Sequence, residues 1–315
     1  MSGLTNESGA RPALWKIITA YLLVYVIWGS TYLAIRFSVE TIPPLLSGGI
    51  RFLAAGILLF GACFARTKKM PPLKSWKNAF IASLLPFVIT YGLLTSAETR
   101  VPSSITGLII ALEPLWFCLV GWLFYGGKKP TLRHYIGIAL GFAGICVLIA
   151  GDPNVEFSFD SHYTMWMLVI ALASLTWVIG AFVAAESSSD EGTLTASGMQ
   201  MLCGGAVMMA AQFALSAFTG EWPALGAFST RSTLALIYLI TFGSLVGYTS
   251  FLWLMRVEPA NRVATHAFVN PIVAVLLGWL IGGEAIYMST LLSMPLITLS
   301  IILMVWEKDT KEQSA

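Results

Sequence analysis

Tyr91 to Leu123, a stretch of 33 residues, shares its landmarks with a second stretch 157 positions later. Tyr91 returns as Tyr248, Pro102 as Pro259, Pro114 as Pro271, and Gly121-Trp122-Leu123 as Gly278-Trp279-Leu280. A fainter match at a shift of 149–150 pairs Trp28 with Trp177 and Ser47-Gly48 with Ser197-Gly198. The repeated unit is too apolar for water. A soluble chain is about one-quarter charged, whereas this one is 11% charged and 57% hydrophobic. Two like units of membrane helices, each with an odd number of spans, must lie inverted relative to each other. Such an arrangement implies a secondary transporter, with one site between the repeats exposed to either side in turn.

Apolar runs of membrane-crossing length fall at roughly 14–35, 45–65, 76–97, 102–125, 133–150, 163–185, 194–218, 232–254, 263–282 and 289–306. The expected fold is therefore an all-α membrane protein of ten transmembrane helices, built as two inverted five-helix repeats over 14–150 and 163–306. With both termini in the cytoplasm, 14 of the 18 Lys and Arg fall on the cytoplasmic side, as the positive-inside rule requires. One loop dissents: residues 186–193 carry Glu186, Asp190 and Glu191 without a basic residue. The loop at Asp152–Asp160 is expected outside. Equivalent loops also change character, since Gly126-Gly127-Lys128-Lys129 matches Gly283-Glu284-Ala285-Ile286. Cys63, Cys118, Cys146 and Cys203 sit in apolar runs without a Cys-x-x-Cys pair, which suits packing and argues against a disulfide framework.

Charged groups inside apolar runs are expensive and mark function. Glu113 lies eleven residues into the fourth run, near mid-bilayer, beside Pro114. It either binds substrate or proton, or belongs to a structural pair at the proline kink. Trp116 and Phe117 follow on its face and offer an apolar wall, or simply pack. Arg51 lies within the second run, where it either snorkels outward or meets Glu113 or a substrate carboxylate. Asn270 is the repeat partner of Glu113, with His266 one turn earlier. Asn270 hydrogen-bonds substrate or steadies the Pro271 kink. Glu98, Arg100 and Glu258 lie near span ends, where charges are usually solvated or interfacial. Trp28 and Tyr91, about 21 and 22 Å up their spans by helical rise, are expected to form one aromatic gate. Trp177 and Tyr248 would form its mirror image in the other half.

Several classes are excluded. The three histidines are scattered, no His-Glu-x-x-His or serine-hydrolase elbow occurs, and no phosphate loop offers ATP hydrolysis. The reading is a non-enzyme that needs no metal or cofactor.

At Trp28-Gly29-Ser30-Thr31-Tyr32, Pro43-Pro44 and Arg51-Phe52-Leu53-Ala54-Ala55-Gly56 the chain resembles the drug/metabolite transporter superfamily, EamA type. Pro102-Ser103-Ser104, Glu113-Pro114-Leu115, Asn270-Pro271-Ile272-Val273-Ala274 and Gly282-Gly283-Glu284 extend the likeness over 14–306. The resemblance implies a ten-helix inverted-repeat carrier of the bacterial inner membrane, with a cavity lined mainly by spans 1, 3, 4, 6, 8 and 9. It is similar to exporters of amino acids and related metabolites. Small multidrug-resistance relatives use an acidic residue in their first helix, and none stands in span 1 here. The expected partners are a small amphipathic metabolite and membrane lipid, with no nucleic acid and a monomer as the simplest assembly. Export of drug-like organic cations is the alternative, favoured by a carboxylate among aromatic rings.

Overall fold

The computed structural model describes residues 12–126, 129–150, 162–186, 192–258, 263 and 266–305. Both terminal segments, the Asp152–Asp160 loop, most of the acidic 186–193 loop, Lys128 and Pro259 lie outside the described residues. The described chain is helical, with no strand. Its helices are α1 Leu14–Ser38, α2 Pro44–Thr67, α3 Leu73–Ser83, α4 Tyr91–Ala97, α5 Ser103–Ile110, α6 Glu113–Phe124, α7 Leu132–Ala150, α8 His162–Glu186, α9 Thr193–Thr219, α10 Thr230–Tyr238, α11 Tyr248–Val257, α12 His266–Leu280 and α13 Met288–Val305. Seven continuous stretches among them are long and apolar enough to cross a membrane. Shorter apolar helices occupy Leu132–Leu148, Val269–Leu280 and Met288–Leu303.

Lipid and protein share each helix. On α1 the exposed Trp15, Ile18, Leu22 and Val26 recur at helical spacing and form one stripe, while Ala20, Val24, Ile27, Thr31 and Ile35 are buried on another. Apolar side chains cover both faces because the surroundings are hydrocarbon on one side and protein on the other.

In a bilayer, helices associate through close packing rather than the hydrophobic effect, so small residues decide where backbones meet. The α2–α9 pair shows this. Gly49 faces Met209, Gly56 faces Leu202, Gly205 faces Leu53 and Gly198 faces Phe60. Numbers rise on one helix as they fall on the other, so the two run antiparallel. A Cβ on Gly205 would run into the Leu53 backbone, which is why glycine stands there. The α7–α13 pair is also antiparallel, with Gly141 against Ser300 and Gly144 against Ile297. The Ser300 hydroxyl donates to the Gly137 carbonyl at 2.6 Å.

Two wide π-helical segments interrupt the helical ladder, at Leu84–Thr90 and Leu239–Gly247. Each ends immediately before a repeated tyrosine, Tyr91 and Tyr248. Pro86 in the first and Gly243 in the second stand at matching positions of the 157-residue repeat, and both residue types weaken a regular helix. The 102–125 run is broken as well: α5 stops at Ile110, and α6 begins at Glu113 after a turn at Ala111-Leu112. Pro114, in the first turn of α6, needs no backbone donor there.

Contacts between the two parts of the chain are reciprocal. Helix α1 packs against α12 and the α10–α11 run. Helix α8 packs against α5, α6 and the first π segment with α4. Gly29 meets Val273 at the first crossing, and Gly180 meets Leu85 and Pro86 at the second.

Candidate cavity and its two ends

These crossings enclose a cavity of about 950 Å³, within the size range of small-molecule sites. Its wall takes residues from α1, the Leu84–Thr90 segment, α4, α5, α6, α8, α11 and α12, with Arg51 from α2 and Gln200 from α9. At one end it reaches Lys129, Thr131 and His134, beyond the C-terminus of α6. There Phe182 stacks on Tyr125 with ring centroids 4.3 Å apart.

Glu113 lines this cavity from the first turn of α6. The helix break puts it at a positive helix end, where a carboxylate is stabilised. Among the described residues no hydrogen bond or ion pair reaches its carboxylate; the two ion pairs found are Arg36–Glu284 and Arg231–Glu40. Arg51 lines the same space but does not pair with Glu113. It is 4% exposed, so it does not snorkel. Its Nε donates to Ser244 Oγ at 2.9 Å, and its guanidinium lies 4.9 Å from the Tyr91 ring and 5.2 Å from the Phe52 ring. Nη1 has no hydrogen-bond partner.

Asn270 and His266 both face the cavity from α12. The amide orientation that satisfies both atoms of Asn270 donates to the carbonyls of His266 at 3.1 Å and Tyr25 at 3.2 Å. Asn270 thus ties α12 to α1. His266 is wedged edge-on between Trp28, at 5.2 Å, and Phe251, at 5.8 Å. Trp116 is not part of the cavity wall, whereas Phe117, the next residue, is.

Trp28, Tyr91, Trp177 and Tyr248 all line the cavity. Contacts link members of the two pairs that counting along the spans sets apart. Trp28 lies on Gly247, adjacent to Tyr248, and Tyr91 and Tyr248 pack on the same buried cluster around Phe52 and Phe87. Rise per residue locates a side chain only along a straight, untilted helix. The π segments before both tyrosines and the tilt of packed spans remove that simple relation.

The far end of the cavity is sealed by polar contacts that sequence reasoning missed. Ile35 and Leu94 close its wall, and behind them lie Val101 and Ile105, each of the four no more than 5% exposed. Beyond this dry layer Glu284 reaches the N-terminus of α5. Its Oε1 accepts from the Ser103 amide at 2.8 Å and the Ser103 hydroxyl at 2.7 Å, and its Oε2 accepts from the Ser104 amide at 3.0 Å. The first amides of a helix have no partner within it, so this carboxylate supplies one. Arg36 Nε approaches Oε1 at 3.5 Å, while its Nη1 donates to the Val101 carbonyl at 2.9 Å. Glu98, expected at a solvated span end, is 1% exposed with neither oxygen hydrogen-bonded. Burial, followed by the nearby Glu284 charge, holds its carboxyl well above the usual carboxylate range, with Arg36 and Arg51 opposing. The sequence signals for this assembly were the Pro102-Ser103-Ser104 and Gly282-Gly283-Glu284 strings and the changed character of the equivalent loop, none of which carried geometry.

The EamA-like transporter family matches residues 15–150 and again 164–306. The chain belongs to that family. It is 35% identical to the uncharacterized inner membrane transporter YedA of Escherichia coli K12, over 92% of this chain and 90% of YedA. The uncharacterized transporter YvbV of Bacillus subtilis is 26% identical over 91% and 92%, and the protein PecM of Dickeya dadantii 29% identical over 81% and 80%. A protein of known crystal structure superposes with a TM-score of 0.62 at 20% identity, covering 93% of this chain and 96% of its own, a likeness of fold. The chain is thus a membrane transporter and not an enzyme, of the superfamily that its sequence resembles.

Proposed function

We propose that this transporter exports amino acids and related small metabolites across the cytoplasmic membrane by alternating access, using two inverted five-helix repeats at 14–150 and 163–306. The observation that carries the reading is the cavity between the halves. It presents a carboxylate and a guanidinium that are not paired with each other, Glu113 and Arg51, within a largely aromatic and aliphatic wall. A substrate ammonium meets Glu113 and its carboxylate meets Arg51, while the wall tolerates varied side chains. Antiparallel packing of the equivalent helices α2 and α9 supports the inverted repeat. Asn270 and His266 shape the wall where the substrate sits, and Phe117 offers the apolar surface first expected of Trp116. Trp28, Tyr91, Trp177 and Tyr248 line the substrate's path rather than two separate gates.

One observation favours a second reading. An acidic group among rings suits an organic cation by cation–π attraction, and Trp28, Tyr32, Trp177 and Tyr248 share the cavity with Glu113. Counterflow in proteoliposomes, screened over an amino-acid panel and a hydrophobic cation with and without a pH gradient, separates the two. Amino-acid counterflow that the cation does not inhibit supports the first reading. Cation counterflow alone replaces it with the second.

A further inference from the structure

We propose that Glu284, closing on Ser103, Ser104 and Arg36, is a one-sided latch between the two halves of the carrier, biasing the resting protein to open at the Lys129–His134 end. This rests on the alternating-access reading above but not on any substrate.

The latch joins the halves at the end opposite the cavity mouth. Glu284 stands between α12 and α13, in the second half, and every donor to it comes from the first. Ser103 begins the broken 103–124 run, whereas the mouth lies beyond its end at Phe124. Opening the latch end must therefore separate one carboxylate from two helix-terminal amides, a hydroxyl and a guanidinium together. Charge-assisted bonds of this kind are about twice as strong as neutral ones. The backbone is shaped to admit the carboxylate. Gly283 has φ +66°, a conformation in which glycine is favoured, and a side chain on Gly278 would strike Glu284 Oε2.

The repeat shows that this device is not duplicated. At matching positions Glu284 is answered by Gly127, Ser103 by Ala260 and Arg36 by Ala185 or Glu186. At those matching positions the three groups have no counterpart. A symmetric carrier would divide its time between two equivalent closures. This one does not repeat its polar closure at the matching positions of the other side, so its unliganded state favours the open mouth there.

The cavity contains its own reporter, the half-buried Cys118. With Cys63, Cys146 and Cys203 replaced by serine, right-side-out and inside-out vesicles are exposed to an impermeant maleimide, so that each face is sampled separately. Wild-type Cys118 is expected to react from the mouth face, with at least ten-fold slower reaction from the latch face. Glu284→Gln, which loses the charge and cannot accept from all three donors, should raise the latch-face rate several-fold and lower the mouth-face rate. Ser103→Ala, which removes only the hydroxyl donor, should move both rates less in the same direction and serves if the glutamine variant fails to fold. Folded variants with wild-type rates at both faces overturn the latch. Wild-type Cys118 reacting equally from both faces would instead defeat alternating access, whatever Glu284 contributes.

Discussion

Charges within apolar runs are visible in a sequence because hydrocarbon penalises a charge unless the fold supplies it with a partner or water. Glu113 and Arg51 were legible for that reason, and both line the cavity. What each one touches was not legible. The guanidinium found Ser244 and the Tyr91 ring on other elements, beside its own neighbour Phe52, rather than the carboxylate, and the first two contacts depend on how helices cross. Glu98 was misread by the same logic in reverse. A charge at a span end is usually solvated, but this one is covered by the latch assembly. The unpaired state of Glu113 makes a specific expectation. Glu113→Gln preserves shape and removes charge, so binding of an amino acid should weaken by about 2 kcal/mol, roughly thirty-fold in Kd, if the carboxylate holds the ammonium. Calorimetric titration of the purified protein checks this. Unchanged affinity with loss of the response to a pH gradient would assign Glu113 to coupling, and unchanged behaviour in both would leave it a structural residue of the α6 start.

Among the elements, apolar runs fix helices well and interruptions poorly. The break before Glu113 is signalled by Pro114, yet Pro271 at the matching position stays inside a continuous α12. Proline permits a break, and packing decides whether one occurs. The π segments had no sequence marker beyond Pro86 and Gly243, since a single widened turn leaves apolar content unchanged. Glycines divide more cleanly once neighbours are known. A methyl on Gly205 would meet the Leu53 backbone, whereas nothing lies within 4 Å of one on Gly61 of α2. Gly205→Ala should therefore destabilise the protein by about 1–3 kcal/mol, the usual cost of overpacking. Gly61→Ala should be neutral or stabilising by up to about 1 kcal/mol, because only helix propensity changes. Thermal unfolding in detergent measures both, and equal effects would show that α2 and α9 are not held at this distance.

At the scale of the molecule, the repeated landmarks are in the sequence, and so is one difference between them, since Glu284 stands where the first copy has Gly127. What that difference does was not legible, because the donors to Glu284 come from elements that only the packing brings to it. Glu98 gives that asymmetry a pH dependence. The groups around it are Tyr32, Arg36 and Glu40 from α1 and its end, Arg51 from α2, Arg100 on its own loop and Glu284 opposite. An open cleft of about 590 Å³ lined by Arg36, Glu40, Glu98 and Arg100 lies on this side. In the latched state the Glu98 carboxyl is held above its ordinary range by burial and then by Glu284. Opening that end hydrates it and returns it toward the ordinary value, so the latched state binds the extra proton. By linkage, acid favours the latch, and the latched population falls as pH rises through the latched-state pKa. The ratio of latch-face to mouth-face labelling of Cys118 cancels the thiol's own reactivity and should rise with pH in the wild type. Glu98→Gln, fixed in the neutral form, should keep that ratio low and flat. A wild-type ratio independent of pH, or a glutamine variant with the same slope, would show that Glu98 carries no proton in step with the gate.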